Sequence, residues 1–156
     1  MYERSRELLY MLADRARNAP IRRDRTRWKH RSFESFVVHE GRPFLSAKLT
    51  VLEEQIARDA VRGVDESTFR IEYKLCFINS QLVQGWDETK KLVYVEGFAW
   101  EHWMPHAVHH GWLTINGKVI DVTGPPKRGR LPPAKPPRIF GEFMDRSYIG
   151  VPFRRS

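Results

Sequence analysis

The sequence has one cysteine, Cys76, among 156 residues. A single cysteine excludes the internal disulfide framework that stabilises many small secreted proteins. No run of about 18 apolar residues is present, so we expect no membrane-spanning helix. The first residues also lack the apolar segment and the small-residue cleavage site of a secretory signal. Together these absences predict a cytoplasmic protein.

Patterns for common cofactors and metals are missing as well. No glycine-rich loop of the phosphate-binding type occurs. His102, His106, His109 and His110 lie close together, but no Glu or Cys accompanies them at the spacing of a zinc site. We therefore expect neither a metal nor a cofactor, and we interpret the first three of these histidines as structural.

Basic residues are concentrated at the two ends of the chain. The net charge is +8, and residues 1–31 carry ten Lys/Arg against four Asp/Glu, while residues 127–156 carry eight against two. The segment between them has a net charge of −4. Part of the C-terminal charge falls in residues 124–137, where six prolines predict an extended loop. Such ends either contact nucleic acid or an acidic protein, or form a solvated surface.

Helices are predicted for much of the first half. The length and the hydrophobic fraction of 41% fit one domain over residues 1–156. Residues 3–18 have the pattern of an amphipathic helix, so residues 1–31 are interpreted as a basic helix and arm. Short strands are expected at residues 35–38 and 43–45.

A second helix is predicted by a capping box. Thr50 and Glu53 have the three-residue spacing of that motif. Leu52 and Ile56 would belong to the apolar side of this helix. Gly63 is expected to end it.

The second half is predicted to be mainly antiparallel sheet. We expect a helix from Cys76 to about Gly85, a strand over 92–100, a hairpin over 109–123 and a last strand over 148–153. Helices followed by antiparallel strands predict an α+β fold.

The hairpin brings a histidine and an aspartate together. Asn116-Gly117 is a strong signal for a two-residue type I′ turn, because both residues tolerate positive φ. With that turn, and with side chains alternating between faces, His110 and Asp121 share one face as diagonal neighbours. His109 would point to the opposite, apolar face.

A thiol, an imidazole and a carboxylate in this order are the components of a thiol-nucleophile enzyme. A helix start lowers the pKa of a cysteine, which predicts Cys76 as the nucleophile, His110 as the base and Asp121 as its orienting residue. The alternative is that Cys76 is an inert buried side chain, as most lone cysteines are. Trp112 and Asn79 are candidate substrate-binding residues, with core packing as the other interpretation of each.

The motifs around these residues resemble those of papain/transglutaminase-like thiol enzymes, including small bacterial and phage members. The resemblance covers residues 70–153 and is carried by Cys-x-x-Asn-Ser from Cys76, His-Gly-Trp-Leu from His110 and Ile-Asp-Val-Thr around Asp121. Asp-Val-Thr stands where the family has Asp-Pro-Thr. The resemblance implies a papain/transglutaminase-like core with the nucleophile at a helix N-terminus.

Two functions from different classes follow. The first is an enzyme that acts on a peptide or amide carbonyl by hydrolysis, deamidation or acyl transfer, with a protein or peptide as substrate. The alternative is a non-enzymatic binding module that uses its basic ends to hold nucleic acid or an acidic protein.

Overall fold

Helices precede most of an antiparallel sheet along the chain. The computed structural model describes residues 2–19, 29–30, 32–101, 103–124, 137–141 and 146–154. The helices are α1 (Tyr2–Asn18), α2 (Phe33–Glu40), α3 (Val51–Glu66) and α4 (Cys76–Trp86). The strands are β1 (Arg42–Phe44), β2 (Val93–Glu101), β3 (Val108–Ile115), β4 (Lys118–Asp121), β5 (Ile139–Phe140) and β6 (Arg146–Phe153). The predicted α+β class is confirmed at this level.

The sheet is antiparallel and curled. Its strand order is β1-β6-β2-β3-β4-β5. Leu45, which follows the edge strand β1, receives a hydrogen bond from Val119 N and donates one to the Gly117 carbonyl. The Phe44 ring also meets the Trp112 ring at 5.7 Å, although two strands separate β1 from β3. These contacts across the sheet give it a concave inner face.

The two faces of the sheet have different contents. The inner face carries a core of Phe44, Val95, Ala99, Trp112, Val119 and Tyr148. On the outer face, α3 and α4 pack against β3 and β4, and α1 and α2 pack against β2 and β6. Because side chains alternate along each strand, residues of the same parity as Trp112 and Tyr148 point into the curl.

Residues 35–38 form part of helix α2, and the predicted strand there is wrong. Ser32 caps this helix by accepting a hydrogen bond from Ser35 N at 3.1 Å. Phe33, Phe36 and Val37 then fall on one side of the helix and pack with α1. A short apolar run has no decisive periodicity of its own, and the contact with α1 selects the helix.

Helix α3 begins as predicted but does not end as predicted. Both hydrogen bonds of the capping box form, at 2.7 Å and 3.2 Å between Thr50 and Glu53. The helix continues past Gly63 to Glu66. A Cβ atom at Gly63 would lie 2.8 Å from the Trp86 ring, so this glycine serves the close packing of α3 on α4. Leu52 is 63% exposed and does not belong to the buried side.

Some predicted features lie outside the described residues. The first is the basic arm after residue 19, of which only residues 29–30 are described. The others are His102 and the proline-rich loop over residues 125–136. Within the described segments, no helix is both long enough and apolar enough to cross a membrane.

Candidate active site

Cys76 is the first residue of α4. The N–H groups of the first turn of any helix have no intrahelical acceptor. Here the N-cap residue, Leu75, makes no side-chain capping hydrogen bond to them either. These groups and the helix dipole favour a negative charge at this end. The predicted placement of the cysteine at a helix N-terminus is confirmed. Cys76 is 8% exposed.

Gly111 allows the first turn of α4 to approach the sheet. A Cβ atom at this position would lie 2.8 Å from the Phe77 ring and 3.1 Å from Phe77 Cα. The pairing between β3 and β4 does not extend to Gly111. Its backbone N–H and C=O groups are therefore not used by β4 and can contact α4. Its carbonyl accepts a hydrogen bond from the Ser80 hydroxyl at 3.1 Å, and its N–H is near enough to Cys76 to lower the pKa of the thiol.

The hairpin between β3 and β4 has the predicted register. Ile115 pairs with Lys118 across a two-residue turn. In that turn Asn116 and Gly117 have φ angles of 51° and 79°, as a type I′ turn requires. The turn fixes which side chains of the two strands share a face.

His110 and Asp121 meet on the inner face, as the register predicts. His110 Nε2 lies 2.8 Å from Asp121 Oδ2, and both side chains are buried. This contact leaves Nδ1 as the free nitrogen of the ring. Cys76 lies close enough to the same imidazole for each group to shift the pKa of the other, with the thiol lowered and the imidazole raised. The structure therefore brings the three predicted catalytic residues together, from α4, β3 and β4.

The Asp121 carboxylate has further partners. Its Oδ2 atom also accepts hydrogen bonds from Arg146 Nη1 at 2.8 Å and from the Tyr148 hydroxyl at 2.9 Å. Its Oδ1 atom accepts one from Thr123 N at 3.0 Å. This set of donors holds the carboxylate in one orientation and favours its anionic form.

Arg146 is itself paired with a buried carboxylate. Arg146 Nε lies 3.5 Å from Glu101 Oε1, and the two residues face each other across β6 and β2. The sequence prediction missed Arg146, Tyr148 and Glu101. The alternation of β2 could have placed Glu101 on the inner face, but the pairing of β2 with β6 was needed to find its partner.

Opposing effects set the ionisation of the site. Burial alone would raise the pKa of the Cys76 thiol, but His110 and the Gly111 N–H lower it below its ordinary value. Burial acts to lower the pKa of His110, whereas Asp121 and Cys76 raise it, with a result of about 9. Burial likewise opposes ionisation of Asp121, but His110 and Arg146 hold its pKa well below the usual range. Because the pKa of Cys76 is lowered and that of His110 is raised, the ion pair of a thiolate and an imidazolium is favoured over the neutral pair.

Asn79 and Trp112, the predicted substrate-binding residues, are both fully buried. The Asn79 amide donates to the Glu72 carbonyl at 2.6 Å and to Thr123 Oγ1 at 2.8 Å. It thus ties α4 to the segment before it and to the end of β4. The Trp112 ring lies nearly parallel to the His110 ring, 6.2 Å away. Direct contact of either residue with a substrate stays a prediction. In the structure both residues are packed behind the candidate catalytic residues and hold their elements in place.

His109 points to the outer face, as parity predicts. Its ring centroid lies 4.3 Å from that of Phe33, 4.7 Å from that of Phe77 and 5.6 Å from that of Phe98. Its Nε2 atom lies 3.2 Å from Glu96 Oε1. The side chain is 44% exposed rather than fully buried. It bridges α2 and α4 across β3, a structural arrangement.

No group of three or more His, Cys, Asp or Glu residues suited to hold a metal ion occurs in the part of the chain that the structure describes.

No family model, no curated protein and no solved structure matches this chain. The resemblance to papain/transglutaminase-like enzymes therefore rests on the motifs of the sequence, and the chemistry of the site rests on its own geometry.

Proposed function

We propose that the protein is an enzyme in which Cys76 attacks a peptide or amide carbonyl, with His110 as general base and acid and Asp121 as the residue that orients His110. The observation that carries the proposal is a continuous series of contacts from a thiol at a helix start, through His110, to Asp121. The papain/transglutaminase-like motifs, with the same order of residues along the chain, support this assignment.

The geometry suits a two-step acyl transfer. The Cys76 thiolate adds to the carbonyl carbon, and the His110 imidazolium gives its proton to the leaving nitrogen as the carbon–nitrogen bond breaks. A thioester and a free amine or ammonia result. His110 then takes a proton from water or from an acceptor amine, which attacks the thioester and releases Cys76. Asp121 keeps its negative charge throughout and stabilises the protonated ring.

The start of α4 supplies the electrostatic part of the reaction. A tetrahedral intermediate formed at Cys76 carries a negative oxygen. The N–H groups of the first turn, including that of Cys76, point toward this end of the helix. They are the donors that would stabilise the oxyanion.

The buried charges of the site favour an enzyme over a purely structural cluster. His110, Asp121, Arg146 and Glu101 are all buried. Removing ions from water costs several kcal/mol per ion, and well-packed apolar residues in their place are often as stable or more stable. Burial combined with specific charge partners is typical of functional sites. A binding module that acts through its basic ends has no need of a thiol with a lowered pKa.

The test is the reactivity of Cys76 toward iodoacetamide at pH 6. A free thiol with an ordinary pKa is almost entirely protonated at this pH, whereas a thiolate paired with an imidazolium reacts. We expect His110→Ala to lower the second-order rate constant by about tenfold or more. The rate is measured by mass spectrometry of the alkylated chain.

His106→Ala serves as the matched control, because His106 is an exposed histidine outside the site. It should react as fast as the wild type. Equal rates for wild type and His110→Ala at pH 6 would mean that the two residues are not coupled, and the proposed function would then be rejected.

A further inference from the structure

Two residues continue the contacts of the site beyond Asp121. Arg146 donates a hydrogen bond to Asp121, and Glu101 forms an ion pair with Arg146 at 3.5 Å. Neither residue takes part in the steps proposed above. Both are buried, so neither ion is stabilised by bulk water.

We propose that Arg146, braced by Glu101, is a positioning residue that fixes the Asp121 carboxylate and balances part of its charge, and so sets the pH range over which His110 holds its proton. This inference rests on the proposed function, since it assigns a role to Arg146 only if His110 is the acid and base of the reaction.

The geometry shows how Arg146 is held. Its Nη1 atom donates to Asp121 Oδ2 at 2.8 Å and to the Tyr148 hydroxyl at 3.3 Å, while its Nε faces Glu101 Oε1 at 3.5 Å. The planar guanidinium is thus anchored on two sides. The Tyr148 hydroxyl donates in turn to the same Asp121 oxygen. A carboxylate bound this way has one orientation in which to receive His110.

The charges alternate along the chain of contacts. In the ion-pair state of the proposed function, the Cys76 thiolate and the Asp121 carboxylate lie on either side of the His110 imidazolium, and Arg146 is a second cation on the far side of Asp121. His110 Nε2 and Arg146 Nη1 each lie 2.8 Å from the same oxygen. The positive charge of Arg146 at this distance lowers the pKa of His110, and the negative charge of Glu101 behind Arg146 reduces that effect.

Groups on several elements enter the titration of His110. Cys76 from α4 and Asp121 from β4 act on His110 directly, and Arg146 and Tyr148 from β6 lie beside Asp121. His109 lies on the opposite face of β3 and acts only through its charge, and Glu101 from β2 lies behind Arg146. Two of them, Arg146 and Glu101, are changed in the experiment. The others stay as they are.

The experiment measures the pKa of His110 by NMR of its ring protons in the full chain, with the resonance assigned by its loss in His110→Ala. Glu101→Gln removes the anion behind Arg146, so Arg146 opposes protonation more strongly and the pKa of His110 should fall. Arg146→Met/Glu101→Gln removes both charges without leaving a buried one unpaired, and the pKa should rise by about one unit. The two variants therefore have opposite expected signs.

A third variant separates charge from packing. Arg146→Lys keeps the positive charge and should leave the pKa of His110 close to that of the wild type. A residue that only stabilised the fold would change the melting temperature in all three variants and leave the pKa of His110 where it is. That result would overturn the inference. If the double variant does not fold, an unchanged pKa in Glu101→Gln is sufficient to overturn it.

Alkylation of Cys76 at pH 6 distinguishes failure of this inference from failure of the proposed function. Fast alkylation of the wild type with unmoved pKa values in the variants rejects the role of Arg146 alone. Equal alkylation rates for the wild type and His110→Ala reject the enzyme, whatever the pKa of His110 does.

Discussion

At Asp121 a single carboxylate oxygen receives hydrogen bonds from His110, Arg146 and Tyr148. The ionisation of these side chains is coupled, because each is buried and lies within hydrogen-bond distance of the same oxygen. Among these four side chains, His110 is the one whose pKa, about 9, lies nearest to neutrality.

The first prediction at the residue scale concerns stability and pH. The pKa of His110 is raised from 6.5 to about 9 in the folded protein. The stability that this group contributes is complete below about pH 6.5 and is lost as the pH rises through about 9. Cys76→Ala keeps Asp121, the main cause of the raised pKa, but loses the contribution of Cys76. In this variant we therefore expect the free energy of unfolding to fall by roughly 1–2 kcal/mol between pH 6.5 and 9. Urea unfolding followed by circular dichroism measures it.

Cys76 is removed in that experiment because its lowered pKa changes the stability with pH in the direction opposite to the raised pKa of His110. A thiolate favoured by the fold adds stability as the pH rises. The comparison is Cys76→Ala/His110→Gln, which lacks the imidazole and should lose less stability over the same range. The same loss in both proteins would show that the decline comes from other groups.

At the scale of elements, the position of α4 depends on two glycines. Gly111 lies under its first turn and Gly63 under its last, and a Cβ atom at either position would lie 2.8 Å from an aromatic ring of α4. At Gly111 the helix backbone is also close, since Phe77 Cα would lie 3.1 Å away. A side chain at position 111 would therefore displace the first turn of α4, which carries Cys76.

Gly111→Ala and Gly63→Ala form a matched pair of variants. Overpacking should lower the stability of both, by about 1–3 kcal/mol. Only Gly111→Ala should also slow alkylation of Cys76 at pH 6, because it displaces the thiol from His110 and from the Gly111 N–H. Chemical unfolding gives the stabilities, and mass spectrometry gives the rates. Equal rates in the two variants would contradict this account of the helix position.

At the scale of the whole molecule, charge is unevenly distributed along the sequence. Residues 1–31 and 127–156 are basic, and the segment between them is acidic. Exposed charges more than about 10 Å apart are largely screened at ordinary salt. Contacts with a polyanion are therefore expected at the ends, independent of the chemistry at Cys76.

Neutralising Arg22, Arg23, Arg25 and Arg27 together tests the role of the N-terminal charge. If this segment contacts nucleic acid, the affinity should fall and its salt dependence should flatten, because fewer counterions are released. Fluorescence anisotropy with labelled DNA and RNA at several salt concentrations measures both. Alkylation of Cys76 should be unchanged.

The control for that experiment is Lys90→Gln/Lys91→Gln, which neutralises two exposed lysines of the acidic segment. This variant should bind like the wild type. Absence of any binding by the wild type at low salt would remove the nucleic-acid alternative, and the basic ends would then be interpreted as a solvated surface or a protein contact.

Local signals in the sequence were sufficient for the hairpin and for the capped start of α3. The φ angles that Asn116 and Gly117 tolerate select the turn, the turn sets the register, and the register places His110 beside Asp121. The capping box at Thr50 and Glu53 acts within four residues. In each case the interacting groups are close along the chain, so no knowledge of the fold was required.

Contacts between distant segments were decided only by the tertiary structure. Arg146 and Tyr148 lie 25 and 27 residues after Asp121, and they reach it because β6 pairs with β2 inside a curled sheet. The helix at residues 35–38 forms because α1 covers its apolar side. The amino-acid sequence by itself determined the hairpin that joins His110 to Asp121. Only the folded chain determined which buried charges surround that pair, since burial and charge pairing depend on segments that meet in space.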